Sequence, residues 1–319
     1  MRYRALGKTG LTVSEIGFGT WGIGGDSYGP VDDSESKETL RLAFEKGITF
    51  YDTANVYGAG RSERILGEAL RDVRKEIVIA TKVGSLSYSG RHMEQEFTVR
   101  RIYEGIEGSL KRLKTDYVDV YQLHSPPADV LDDDHIIKAL EDLKKHGKIR
   151  ALGVSVRSPE DGMVAAGKNC FETIQVNFNL IDHRFIESGL HGAALKENIG
   201  IISRTPLCFG FLTGTMSDEA GFKSGDHRSG WSKSQIKTWA ESVKLFESLY
   251  TRRGWTPAKA ALKFCLSYPG VSTVIPGMMN KTEVEENAVA SELDTLEEDE
   301  LAMIKRIYES HVFFNAATK

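Results

Sequence analysis

Cysteine is scarce in this chain. Its three thiols, Cys170, Cys208 and Cys265, are odd in number, far apart and show no C-x-x-C spacing. This argues against a disulfide framework or a cysteine zinc site and suits a reducing cytoplasm, the compartment expected here. There is no apolar run of about 18 residues, so nothing reads as a membrane span. The N-terminus, Met1-Arg2-Tyr3-Arg4-Ala5-Leu6, lacks the apolar stretch of a secretory signal. Charge of one sign is not in excess either. Lys and Arg number 41 against 45 Asp and Glu, a formal net charge of −4. Neither nucleic acid nor a membrane surface is expected as a partner.

What is present is ample core material, 40% hydrophobic residues in 319. Short apolar runs alternate with longer amphipathic segments, the signature of a parallel sheet wrapped by helices. Strands are expected near 15–20, 47–52, 76–82, 117–123, 149–155, 172–177, 199–204 and 271–276. Eight such strands close a barrel, and a barrel of this length is one domain, 1–319. Helices are expected over 32–46, where Asp32 and Glu35 have capping-box spacing, and over 134–146, ending in Lys144-Lys145-His146 before Gly147. Val99, Ile102, Ile106, Leu110 and Leu113 make an apolar stripe at helical period. Further helices fit 159–168, 187–197, 257–267 and 281–290. Three segments stand outside the repeat. Residues 3–13 read as a hairpin plugging the barrel floor, 208–232 as a long Gly-rich loop after strand seven, and 297–310 as an extra C-terminal helix.

Two spellings mislead. Gly17-Phe18-Gly19-Thr20-Trp21-Gly22 matches G-x-G-x-x-G, but the dinucleotide fingerprint needs a helix starting within it. A loop through Gly29-Pro30 follows instead. Gly7-Lys8-Thr9 ends like a phosphate loop but has Arg2 where the first glycine belongs, so it reads as a turn.

The chemistry gathers at strand ends. The run before Asp52 leads into Asp52-Thr53-Ala54-Asn55-Val56-Tyr57-Gly58, the next strand delivers Lys82, and the one after delivers His124. In a parallel barrel these ends converge on one mouth. A lysine beside a tyrosine stabilises phenolate and so favours release of the phenolic proton, and an aspartate keeps the lysine charged. His124 can hydrogen-bond a substrate oxygen. Such a device polarises and protonates a carbonyl, and since no side chain supplies hydride, it implies a nicotinamide cofactor. Each residue alone has a plainer reading as a structural ion pair, a core histidine or a loop aromatic. Their convergence gives the functional one its weight.

These residues, in this order, resemble the aldo-keto reductase family, whose signature is Asp-Thr-Ala-x-x-Tyr-Gly followed by a strand-end lysine and a strand-end histidine. The likeness covers about residues 3–290. It implies Tyr57 as general acid, Asp52 and Lys82 as its tuners, His124 as carbonyl orienter, and hydride transfer from a nicotinamide. It also implies cofactor contacts from Thr20, Trp21, Ser155, Gln175, Ser203, Arg204, Pro206 and Leu207. Arg204 would stack where many members place an aromatic ring. At the adenosine end it implies Gly277, Met279, Lys281, Glu283, Glu286 and Asn287. Val156 and Arg157 depart from the asparagine usual after the serine. Glu283 and Gly277 stand where the family often has basic residues for a 2′-phosphate. NADP(H) is favoured on family habit, and NAD(H) is the alternative that this local charge supports.

A small-molecule carbonyl, sugar-type among the options, is the expected substrate. Trp21, Tyr28 and Tyr88 are expected to line the mouth, with Trp231 on the long loop. Arg91, His92 and Arg228 are candidates for an anionic or sugar-like group, or else solvated loop residues. No metal is expected, and either a monomer or a homo-oligomer fits. Two other functions use the same parts. One is a Schiff-base aldolase through Lys82. The other is a non-catalytic, cofactor-sensing regulatory subunit, since potassium-channel beta subunits resemble this fold. No long N-terminal extension to serve as an inactivating arm is expected.

Overall fold

The computed structural model describes residues 1–89, 92–217, 221–223 and 225–314. The strands are β1 Tyr3–Ala5, β2 Thr12–Ser14, β3 Phe18–Gly19, β4 Phe50–Asp52, β5 Val78–Val83, β6 Ser85–Ser89, β7 His92–Gln95, β8 Val118–His124, β9 Ile149–Ser155, β10 Thr173–Asn177, β11 Gly200–Arg204 and β12 Val271–Val274. Eight of them form one parallel sheet in the order β12-β11-β10-β9-β8-β5-β4-β3. The two edges meet through parallel bridges Ile16–Val274 and Gly19–Gly277, with Gly17 N–H donating to Val274 O at 2.8 Å. The sheet is a closed (β/α)8 barrel. Gly19 is needed at the seam, because a Cβ there would lie 2.8 Å from Ile275 O.

The hairpin β1–β2 plugs the floor. Leu6, Leu11 and Val13 pack inside the barrel on Phe50, Val78, Ala80, Val120, Ala151, Ile202 and Ile275. Gly7, in the left-handed region at φ 52°, allows the turn to press on β11, where a Cβ would meet Gly200 N at 2.2 Å. The outward residues of the strands belong to a second, larger core beneath the helices.

The helices begin and end for local reasons. Asp32 accepts from Ser34 and Glu35 N–H to start Asp33–Glu45. Thr98 caps Val99–Leu113, where Ile102, Ile106, Leu110 and Leu113 are buried while Val99, at the first position, stays exposed. Thr256 and Pro257 open Pro257–Leu266. Glu298–Glu309 is the extra C-terminal helix. The helix expected over 187–197 is instead two short ones, Arg184–Glu187 and Leu190–Lys196, divided where Gly189 adopts φ 81°. Four helices among the described residues went unread in the sequence: Arg61–Ala69, the short Ala128–Leu131, Lys233–Ser242 and Glu247–Arg253. Among the described residues no helix is long and apolar enough to cross a membrane.

Candidate active site

Strand alternation builds the site. Floor-ward positions Phe50, Val78, Ala80, Val120 and Ala151 are apolar. The inward positions nearer the C-terminal ends of the same strands, and of the next two, are Asp52, Lys82, Gln122, His124, Ser155, Gln175, Asn177 and Arg204. Ladder pairs set them side by side, with Lys82 opposite Gln122, His124 opposite Ser155, and Ser155 opposite Gln175. Gly153 leaves room for this layer, since a Cβ there would lie 2.9 Å from Gln122 Cγ.

Lys82 Nζ is the hub. It donates to Asp52 Oδ1 at 2.5 Å, to Thr53 O at 2.9 Å and to Tyr57 Oη at 3.1 Å. Asp52 Oδ2 accepts from Gln175 Nε2 at 2.7 Å and Gln122 Nε2 at 3.1 Å. Asp52 and Lys82 are 2% and 1% exposed, so the pair is effectively dry and its partners are obligatory. Burial pulls the lysine down, but Asp52 and then Tyr57 outweigh it, leaving the ammonium held above its ordinary value. Tyr57 differs from the sequence expectation. Burial pushes its phenol above the ordinary value of 10, and the Lys82 charge opposes this without cancelling it. Burial, with Lys82 and Arg204 beyond it, holds His124 well below 6.5, so its imidazole is neutral. The His124 ring lies edge-on to Tyr57 at 6.1 Å between centroids, and its Nδ1 is buried without a partner among the described residues.

Arg204 closes the layer. Its Nε donates to Asn177 Oδ1 at 2.7 Å, and its two terminal nitrogens to Ser155 Oγ at 2.9 Å and Val156 O at 2.7 Å. Three bonds from one planar group fix its plane. Ser155 Oγ also donates to Gln175 Oε1 at 3.3 Å. Gln175 is therefore committed inward, to Asp52 and Ser155. Beyond β8, Gln95 Nε2 donates to His124 O at 2.7 Å and Ser125 O at 3.0 Å. Arg157 donates to Ser125 O at 2.9 Å and to Gln95 Oε1, clamping the turn that carries His124.

At the mouth Trp21 lies 6.3 Å from Tyr57, 5.5 Å from Tyr28 and 4.5 Å from His227, centroid to centroid. Trp231 sits one ring further out, 5.1 Å from His227. Arg228 is bound by Asp226 and lies over Tyr28, so it is not a free cation. The Tyr88 side chain, Arg91 and the His92 side chain lie outside the described residues. Two residues expected at the cofactor are turned away from the mouth. Thr20 is fully buried and donates to Asp52 O at 2.8 Å, and Ser203 is fully buried and donates to Phe178 O at 3.0 Å. Both hydroxyls satisfy barrel backbone instead.

Residues 15–309 match the model of the "Aldo/keto reductase family". The chain belongs to the aldo/keto reductase family. The aldo-keto reductase YhdN of Bacillus subtilis is 35% identical over 292 residues, 89% of this chain and 87% of that protein. A probable voltage-gated potassium channel subunit beta of Oryza sativa is 30% identical, over 91% of each chain. The solved structure of the glycerol dehydrogenase of Gluconobacter oxydans superposes with TM-score 0.82 at 30% identity, covering 98% of this chain and 96% of that one. Membership carries oxidoreductase chemistry on small carbonyl compounds with a nicotinamide cofactor.

On the β12 side of this mouth the charged groups are paired locally. Glu283 accepts from Met279 N–H at 2.6 Å and Asn280 Nδ2 at 3.1 Å, which folds the turn before the helix Lys281–Val289. Lys281 donates to Glu38 at 2.7 Å. Glu286 is partly exposed, Asn287 is buried, and Gly277 is exposed beside Gly19 at the seam. Pro206 and Leu207 are buried just past β11. The rings and clamps were harder to read in sequence than the tetrad. Gln122 alone carried a signal, standing two residues before His124 on the same strand face. His227, Gln95 and Arg157 carried none.

Proposed function

We propose that this chain reduces aldehydes or ketones to alcohols, with Tyr57 as general acid and NADP(H) favoured over NAD(H). One observation carries the reading: a single buried ammonium, Lys82, touches both the Asp52 carboxylate and the Tyr57 hydroxyl. The cofactor fits what surrounds it. Gly277, bridged to Gly19 at the seam, carries no side chain, and a Cβ there would meet nothing nearer than Gly19 O at 3.9 Å, so the space beside it is open. Arg204 offers a fixed plane and Ser155 a hydroxyl beside it. Trp21, Leu207, Met279 and Asn287 complete the set that would hold the dinucleotide, with Gln175 behind them fixing Asp52 and Ser155.

The bound nicotinamide would supply the hydride. The chain handles the carbonyl oxygen. His124, neutral and without an acceptor at Nδ1, carries its proton on Nε2 and orients that oxygen. Tyr57 gives its proton to the oxygen, and Lys82 stabilises the phenolate left behind. Asp52, tied down by Gln122 and Gln175, keeps Lys82 charged throughout. The aldolase alternative needs a neutral lysine as nucleophile, and this environment holds Lys82 as ammonium. The regulatory reading is separated by turnover.

Binding is tested by titrating the protein with NADPH and with NADH while following tryptophan fluorescence. Saturable quenching supports the reading, and no binding of either contradicts it. The pH dependence follows from the phenol. Reduction needs Tyr57 protonated, and its value is raised above 10. The kcat for reduction is expected to stay flat from neutral pH upward and to fall only in the strongly alkaline range. His124, held well below 6.5, adds no loss near pH 6. A fall in kcat between pH 7 and 9 would contradict this. Glu283→Arg is expected to raise the NADPH-over-NADH preference roughly tenfold, by exchanging a repelling carboxylate for a charge-assisted phosphate contact. An unchanged ratio of the two dissociation constants would remove Glu283 from the adenosine site.

A further inference from the structure

The long loop after β11 is stitched to the loop after β3, next to Trp21, whose ring lies 6.3 Å from Tyr57. Tyr28 pairs with Asp226, and His227 N–H donates to Ser27 O at 2.8 Å. The His227 side chain makes the same choice, its Nδ1 lying 2.8 Å from Ser27 O. A carbonyl oxygen only accepts, so Nδ1 carries the proton and Nε2 presents a lone pair. That Nε2 is buried and has no hydrogen-bond partner among the described residues, in a side chain only 5% exposed. Burial lowers His227 below 6.5, so the lone pair is kept at neutral pH. Around it stand Trp21 at 4.5 Å, Tyr28 at 4.6 Å, Trp231 at 5.1 Å and Phe209 at 5.5 Å. None of these rings satisfies it. An unpaired acceptor in an aromatic wall is costly unless something arrives to donate.

We infer that His227 is a specificity-determining residue of the substrate mouth, its Nε2 accepting a hydrogen bond from a substrate hydroxyl. The substrate this selects is a hydroxylated carbonyl compound, its carbonyl at Tyr57 and His124 and its carbon chain running past Trp21. Apolar aldehydes of the same length leave Nε2 unpaired and are discriminated against. The inference rests on the carbonyl-reductase reading of the tetrad.

The test compares glyceraldehyde with propanal, which share a three-carbon skeleton and differ in hydroxyls, in the wild type, His227→Phe and His227→Gln. Phenylalanine keeps the ring packing and deletes the acceptor, whereas glutamine restores one. The expected result is a roughly tenfold loss of kcat/KM for glyceraldehyde in His227→Phe, carried mainly by KM. Propanal should lose less, about twofold to threefold, and His227→Gln should recover part of the glyceraldehyde loss. Equal losses on both substrates, or none on either, would overturn the inference and leave His227 a packing residue. A wild type that reduces neither substrate would count against the reductase reading. The hydroxyl question is then decided by binding, using tryptophan quenching of the cofactor-loaded protein by glycerol and by 1-propanol. Glycerol binding that is lost in His227→Phe supports the inference, and equal binding of the two alcohols overturns it.

Discussion

Tyr57→Phe is expected to lower kcat for carbonyl reduction by about 10²–10⁴-fold, the range for removal of a positioned general acid. The substitution removes one oxygen from a residue whose ring is already fixed. Trp21 and His124 pack on it, and the Lys82 ammonium lies 4.8 Å from its centroid. Phenylalanine keeps those contacts. Lys82 retains Asp52 and the Thr53 carbonyl, so the buried charge stays paired. NADPH affinity should therefore change little. Steady-state kinetics beside a fluorescence titration separates the two effects. Wild-type turnover in this variant would remove Tyr57 from the chemistry.

Asp52→Ala is the second large effect, and it falls on stability as well as activity. Removing the carboxylate leaves Lys82 in a dry site with a carbonyl and a phenol for company. Gln122 and Gln175 each lose an acceptor. Breaking a buried pair from one side costs about 3–5 kcal/mol. Burial then dominates at Lys82, and the lysine sheds its proton. The sign of the pH dependence follows from the raised lysine. Its contribution is complete below the unfolded value near 10.5 and is lost as pH rises through the higher folded value. The gap between wild type and Asp52→Ala in a denaturant melt should be widest at low pH and narrow steadily as pH rises toward 10.5, because the unfolded variant binds one proton more than the folded one while the wild type binds equal numbers in both states. A loss under about 1 kcal/mol would mean that the pair is not the structural hub described here.

The barrel was legible because short buried runs alternate with amphipathic segments, and the tetrad because Asp52, Lys82 and His124 end three such runs and Tyr57 lies in the turn just beyond the first. Which positions along those runs point inward, apolar at the floor and polar at the rim, emerged only from the strand register. What resisted reading was whatever depends on contact between distant segments. The helix Arg61–Ala69 starts on Gly60 at φ 85° with no side-chain cap, so no Ser, Thr or Asp announces it. The hydroxyls of Thr20 and Ser203 turned out to serve barrel backbone, which motif position alone does not reveal. Tyr57 looked acidified beside a lysine, but burial outweighs the charge, and burial cannot be weighed from sequence. His227 sits in a Gly-rich loop with no periodicity, and only the pairing of two loops brings it to Trp21.

Hydride transfer itself is tested most directly with NADPH deuterated at nicotinamide C4. Purified protein is incubated with that cofactor and a small aldehyde, and the alcohol product is analysed by mass spectrometry. One deuterium on the carbinol carbon, and none with Tyr57→Phe, is the result this account predicts. Undeuterated product, or a borohydride-trapped adduct on Lys82 in place of an alcohol, would contradict it.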